Sequence, residues 1–191
     1  MATSSFTIKK WIIYTGIGWF LGVLLVLFLA GLLEFIHLDF QFIVGFGMGL
    51  GVGLSHWLLL RQYFLISFNW VVILTIGLTI PFLIFDIFSR YYNLPIEKLI
   101  LFIIACGVTS SSYLQYYFLL KPISPNTKEW ILFSLIGWLS VSILCIYSYP
   151  VLMHYFTRNI VVIVNLIIFT SAGPLLGFIT WKGIDLKVSD Y

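Results

Sequence analysis

The sequence predicts an all-α membrane protein of six transmembrane helices, built as three tandem two-helix repeats with approximate threefold symmetry about the membrane normal. Composition is the first reason. The chain is 61% hydrophobic and 9% charged over 191 residues, with a mean hydropathy of +1.09. A soluble domain carries about 25% charged residues, and a chain with so few cannot cover a water-facing surface. The second reason is a set of six apolar stretches close to the roughly 20 residues that cross hydrocarbon. The third is a pattern that recurs three times. Trp11, Trp70 and Trp130 each open an apolar stretch; Gly18, Gly77 and Gly137 follow seven residues on, and Trp19, Leu78 and Trp138 come directly after them.

The predicted spans are 11–33, 41–60, 70–88, 99–120, 129–149 and 159–181. The first follows Lys9-Lys10 and runs 23 residues from Trp11 to Leu33, against about 7–15 for the apolar region of a signal peptide, so it is read as a retained span. The second carries Gly45, Gly49 and Gly53 on one helical stripe; the sixth repeats this as Gly173 and Gly177, and the fourth has Thr109 and Tyr113 instead. Glycine lets neighbouring helix backbones approach closely, so these stripes should face partner helices rather than lipid. Pro81 and Pro174 lie inside spans three and six, where each removes a helix hydrogen bond and predicts a kink. The connections Glu34–Phe40, Arg61–Asn69, Ser89–Lys98, Lys121–Lys128 and Pro150–Arg158 hold most of the charge, and none is large enough to fold alone. The chain is therefore read as a single transmembrane domain, 1–191, with repeats at about 9–62, 68–122 and 128–183.

Fixed spacing supports the repeats. Trp11 to Trp70 is 59 residues and Trp70 to Trp130 is 60; Trp57 to Tyr117 is 60 and Tyr117 to Trp181 is 64. The extra residues of the third unit are expected in a longer loop at Pro150–Arg158. Hairpins that enter from one side are related by an axis along the membrane normal. Lys9, Lys10, Arg61, Lys121, Lys128, Lys182 and Lys187 fall on one side and Arg90, Lys98 and Arg158 on the other, which places both termini in the cytoplasm, in a bacterial inner membrane. The opening tryptophans, with Trp57, Tyr117 and Trp181, are then expected in an aromatic belt at the cytoplasmic interface.

Polar groups inside spans are the default places to look for function. His56 lies on the glycine face of span two, with Tyr116 and Thr180 at equivalent positions. These three predict a polar ring one turn from the cytoplasmic end, serving a ligand head group or a proton, or else hydrogen-bonding neighbouring helices. Glu34, His37 and Asp39 gather in the first outer loop, where carboxylates flanking a histidine suit a cation or acid–base work, or simply stay solvated. Asp86, near the outer end of span three, is placed to pair with Arg90 four residues on; Leu27 and Ile146 stand at its repeat positions, so this acid is outside the repeated scaffold. Gln41 and Asn165 are expected to hydrogen-bond between helices, and Ser55 and Gln115 likewise beside the ring. Cys106 and Cys145 make no metal motif and are read as buried small residues, with a disulfide left open.

Several classes are excluded. The longest basic run is Lys9-Lys10, which is no nucleic-acid footprint. No nucleophile elbow, phosphate loop or His-Glu-x-x-His zinc motif occurs. No metal or cofactor is implied.

At Trp11-x6-Gly18-Trp19 and Gly49-x3-Gly53-x3-Trp57-Leu58-Leu59-Leu60-Arg61 the chain resembles uncharacterised small bacterial membrane proteins with repeated glycine-rich hairpins. The resemblance implies topology and no activity. Mitochondrial carriers also have six spans in three repeats, but their Pro-x-Asp/Glu-x-x-Lys/Arg signature is missing from all three units. The leading functional reading is a non-enzymatic structural, assembly or partner-binding membrane component. The alternative is a small-solute or lipid transporter, or the substrate-binding subunit of one. An enzyme acting on lipid ranks last, since no catalytic set converges. The expected partners are the lipid bilayer and either another membrane protein or a second copy of the chain.

Overall fold

The computed structural model of the chain describes residues 6–35, 37, 40–92, 96–123 and 125–184. Asp39 and Lys187 lie outside them. Six helices form: α1 (Ile8–Phe35), α2 (Phe42–Leu60), α3 (Asn69–Tyr92), α4 (Ile96–Gln115), α5 (Glu129–Tyr155) and α6 (Arg158–Trp181). A π-helical turn, Tyr116–Leu120, continues α4, and a 3-10 turn, Pro125–Lys128, leads into α5. All six are long and apolar enough to cross a membrane. Lipid explains why even strand-favouring sequence is helical here. The run Ile160-Val161-Val162-Ile163-Val164 favours a strand in water, but it lies in α6, because a lone segment in hydrocarbon must satisfy its own backbone.

Each helix packs on the next in chain order, and α6 returns to pack on α1. The result is a closed ring of six. The N-terminus of α1 and the C-terminus of α6 meet at one end, where the Phe6 and Trp181 rings are 5.1 Å apart. We call this the Trp11 end, and the other the Asp86 end.

Glycine sets the closest approaches. Within hairpins, a Cβ on Gly51 would sit 2.5 Å from the Gly18 carbonyl oxygen, one on Gly77 would meet Ser111, and one on Gly137 would meet Leu176 and Thr180. Between hairpins, Gly45, Gly49 and Gly53 face Leu78, Thr75 and Val71 on α3, while Gly173 and Gly177 face Gly16, Trp19, Ile12 and Thr15 on α1. The α4–α5 seam has no such contacts. Thr109 and Tyr113 are exposed there, beside a surface depression shared with Cys106 and Ile131.

Three expectations need correction. Pro150 is not in a loop: α5 runs through it to Tyr155, and the chain turns at Phe156 and Thr157, whose backbones are extended. Breaking the helix earlier would leave polar backbone groups in the span, which costs more than the one hydrogen bond proline removes. The opening tryptophans do not form an interfacial belt. Trp11, Trp70 and Trp130 are at most 3% exposed, because Gly18, Gly77 and Gly137 lie two turns on along the same helix face, and that face is the one held against the neighbours. Trp57 and Trp181 do sit at the periphery, half-buried, and Tyr117 is exposed. Cys106 is exposed rather than buried, Cys145 is half-buried, and both are free thiols.

The glycine distances rank a mutant series. Gly51→Ala, Gly45→Ala and Gly49→Ala put a methyl 2.5–2.7 Å from backbone atoms and should each cost about 1–3 kcal/mol. Gly53→Ala meets its nearest atom at 3.3 Å and should be much milder. Gly31→Ala, with nothing within 4 Å, should be neutral or stabilising by up to about 1 kcal/mol. Unfolding midpoints of the purified protein in detergent test the order; equal losses at Gly31 and Gly51 would contradict the packing described here.

Candidate functional site

Near the Trp11 end the bundle axis is filled by an aromatic and polar layer. Thr15 lies one turn beyond Trp11 and donates its single hydroxyl proton to the Trp11 carbonyl at 2.8 Å. Its oxygen is also 2.9 Å from His56 Nε2. Which of the two groups donates in this contact is set by the His56 tautomer. The His56 ring stacks on Trp11, centroids 4.1 Å apart at 24°, and meets Trp70 and Trp130 edge-on at 6.4 Å each. The tryptophans touch one another as well: Trp11–Trp130 is 6.0 Å and Trp70–Trp130 is 5.4 Å.

Hydrogen bonds tie this layer across helices. Trp11 Nε1 donates to Thr180 Oγ1 at 3.0 Å, and Thr180 in turn donates to the Leu176 carbonyl at 2.8 Å. Trp130 Nε1 donates to Gln115 Oε1 at 3.2 Å, and Gln115 Nε2 donates to the Trp70 carbonyl at 3.3 Å. Three buried atoms of the layer have no partner among the described residues: His56 Nδ1, Trp70 Nε1 and Ser134 Oγ. Of the expected ring, then, His56 and Thr180 come together through Trp11 and Thr15. Gln115, fully buried, joins the layer from α4, and Tyr116, half-buried, packs against the cluster to which Trp11, Trp70 and Trp130 belong. The π-helical turn begins at Tyr116, where Lys121 N donates to the Tyr116 carbonyl five residues back.

The layer offers little chemistry. Its one ionisable side chain is His56. The Thr15–His56 pair has the proportions of a nucleophile and base, but both side chains are buried in the filled layer and neither lines the cavity.

Toward the Asp86 end the axis opens into a cavity of about 360 Å³, lined by residues of all six helices. Trp19, Leu78 and Trp138, each directly after one of the three inward glycines, all line it, with the Trp19 and Trp138 rings 5.9 Å apart. Trp19 is held by its Nε1 donating to the Phe169 carbonyl at 2.9 Å. The lining is almost wholly apolar, with only Ser142 and Cys145 adding a hydroxyl and a thiol beside the indoles. His56, Trp11, Trp70 and Trp130 are not part of it. The sequence reading missed this cavity, although the Trp-Gly spacing that puts those side chains on the inner faces was its visible signal.

The Asp86 end has a structural carboxylate. Asp86 is 4% exposed; its Oδ1 accepts from Gln41 N at 3.0 Å and its Oδ2 from Phe42 N at 2.8 Å. A side chain on α3 thus caps the N-terminus of α2, where unpaired N–H groups and the helix dipole favour an anion. The Arg90 guanidinium stands 4.0 Å over the Phe40 ring. Glu34 is exposed at the end of α1, and its carbonyl accepts from His37 N at 3.0 Å as His37 turns the chain with φ of 55°. Asp39 lies outside the described residues. No group of three His, Cys, Asp or Glu side chains suited to a metal occurs among the described residues. Asn165 meets its expectation: its Oδ1 accepts from Ser148 Oγ at 2.6 Å, linking α5 to α6.

Compared with family models, curated proteins and solved structures, the chain finds no match.

Asp86→Ala should cost about 2–3 kcal/mol, because it strips two buried N–H groups of a charged acceptor. Asp86→Asn keeps the shape but sets an NH2 group against one of them and should recover only part. Glu34→Gln, at an exposed position, should change nothing. Thermal unfolding of the three variants decides the matter; an Asp86→Ala protein as stable as the parent would remove the capping role.

Proposed function

We propose that this protein is a non-enzymatic binding component of a membrane: three tandem hairpins around one axis, closed at the cytoplasmic end and hollow toward the other. One observation carries the reading. The axis is filled by Trp11, Trp70, Trp130 and His56 over one part of its length and holds a cavity over the next.

The threefold arrangement is supported by matching contacts. The opening tryptophans converge on one layer. Gly18, Gly77 and Gly137 each back onto the second helix of their own hairpin, and Trp19, Leu78 and Trp138 line one cavity. The glycines spaced by four on α2 and α6 each face the first helix of an adjoining hairpin. Orientation rests on the basic residues: at the Trp11 end the Lys10 ammonium meets Tyr63 Oη at 2.6 Å, while Arg61 lies 4.4 Å over Trp57 and Lys121 4.9 Å over Tyr117. An apolar cavity open at one side and stopped by the filled layer favours the substrate-binding form of the alternative reading over a conducting transporter.

In sealed proteoliposomes the protein alone should pass no protons, small ions or sugars above the protein-free rate. Saturable flux of any such solute would overturn the closed-bundle reading. Orientation is checked by thiol labelling in cells: cysteine at Lys182 should be blocked only after permeabilisation, and cysteine at Arg158 should label from outside.

A further inference from the structure

We propose that the axial cavity is a binding site for one hydrocarbon chain of a membrane lipid, taken up through the side of the bundle. This inference rests on the binding-component reading and names the class of its ligand.

Four observations carry it. The cavity volume, about 360 Å³, is more than twice the roughly 150 Å³ that lets a dry apolar cavity take up benzene. The lining disfavours other classes: among the described residues it holds no charged side chain, so it has no counter-charge for an ion, phosphate or amino acid, and water would find too few partners in it. It is walled by bulky side chains, Trp19, Met48, Leu78, Phe82, Ile104 and Trp138 among them, and a wall left without an occupant forgoes dispersion contacts.

The fourth observation is the way in. On α1 the buried residues are Trp11, Thr15, Gly18, Trp19 and Gly22, with none beyond Gly22. On α5 none is buried beyond Ser142. The cavity meets the surface along this stretch, where Leu27 lines it while 63% exposed and Val26 and Ile146 line it half-buried. Leu27 lies eight residues before Phe35, the end of α1, or about 12 Å of helix at 1.5 Å per residue. The mouth is thus inside the span rather than at its edge. An opening at that depth is reached from the bilayer, whose chains are the apolar molecules present there. The filled layer around His56 stops a chain from passing further, so it enters tail first and leaves its polar head toward the Asp86 end.

The test uses the full chain in nanodiscs of phosphatidylcholine doped with a photoactivatable probe: in one arm a phospholipid with a diazirine on its acyl chain, in the other a polyprenol with the same group. Crosslinked positions are read by peptide mass spectrometry. Label is expected on Val26, Ile104 and Cys145 as well as on outward-facing Leu166 and Phe178; the arm that labels the cavity tells an acyl from an isoprenoid chain, and either supports the proposal. Cys145→Trp and Ile100→Trp fill part of the space. A buried methylene is worth about a fourfold factor in affinity, so displacing two should lower cavity label roughly tenfold with Leu166 and Phe178 unchanged. Should a variant fail to fold, competition on the parent replaces it: unlabelled lipid of the same chain should remove label from Ile104 faster than from Leu166. Label confined to Leu166 and Phe178 in a monodisperse protein overturns the ligand assignment and leaves the closed bundle standing. Solute flux in the liposome assay would instead remove the reading beneath it.

Discussion

Helices already dissolved in lipid gain nothing by hiding apolar surface from it, so this bundle depends on backbone approaching backbone at glycine. The dependence is visible in where the contacts fall. Gly16, Gly18 and Gly22 of α1 meet α6 and α2, and beyond Gly22 the helix has only Gly31, which touches nothing. The buried face of α1 stops at the same residue. The hollow half of the molecule thus follows from the end of the glycine pattern. Where small residues run out, α1 and α5 lose their buried faces, and the axis is left to side chains that line a space instead of closing it.

The tryptophans solve the opposite problem at the other end. Six helices around one axis leave a hole that Leu or Val cannot fill, and an indole fills more of it than any other side chain. The difficulty is its N–H, which needs an acceptor once buried. Trp11 finds Thr180 on α6 and Trp130 finds Gln115 on α4. In the proposed threefold arrangement each donates backward to the preceding hairpin, and Trp70 should donate to α2. It does not, because His56 at that place is engaged with Thr15 and stacked on Trp11. Trp70 Nε1 and His56 Nδ1, both without a partner among the described residues, mark where the contacts depart from the proposed threefold pattern.

Much of this was legible before any coordinates. All six spans, their rough limits and the glycine stripes follow from hydropathy and spacing, which hold for any helix in lipid. What failed did so for particular reasons. Tryptophan suits both a membrane interface and a packed axis, and only the glycine two turns away on the same face separates the two for Trp11, Trp70 and Trp130. Pro150 breaks helices in water, where its freed carbonyl partner is solvated, but not in a segment that must stay helical to cross. Gln115 reads in the sequence only as a neighbour of the ring, and its bonds to Trp130 and to the Trp70 carbonyl depend on helix packing that spacing alone does not display. Asp86 accepts from the backbone N–H groups of Gln41 and Phe42, and such partners are displayed by no pattern of residue types. The cavity was hidden for a related cause, since a void is a property of several helices together.

The two halves of the axis also limit what the molecule can do by itself. A transport path along the axis would have to move the stacked pair His56–Trp11 and the Trp70–Trp130 contact, and with them the hydrogen bonds to Thr180 and Gln115. Those bonds join α1 to α6 and α4 to α3, which glycine holds at close approach, and α5 to α4, which it does not, so the layer cannot part without breaking glycine-packed seams. The other half is tied by Asp86, the Ser148–Asn165 bond and the Trp19–Phe169 bond, and its walls include α1 and α5, which have no buried residues beyond Gly22 and Ser142. Motion is therefore cheap where the lining is apolar and costly where it is polar. In the proposed reading, a molecule built this way admits a guest from the side and holds it against the filled layer.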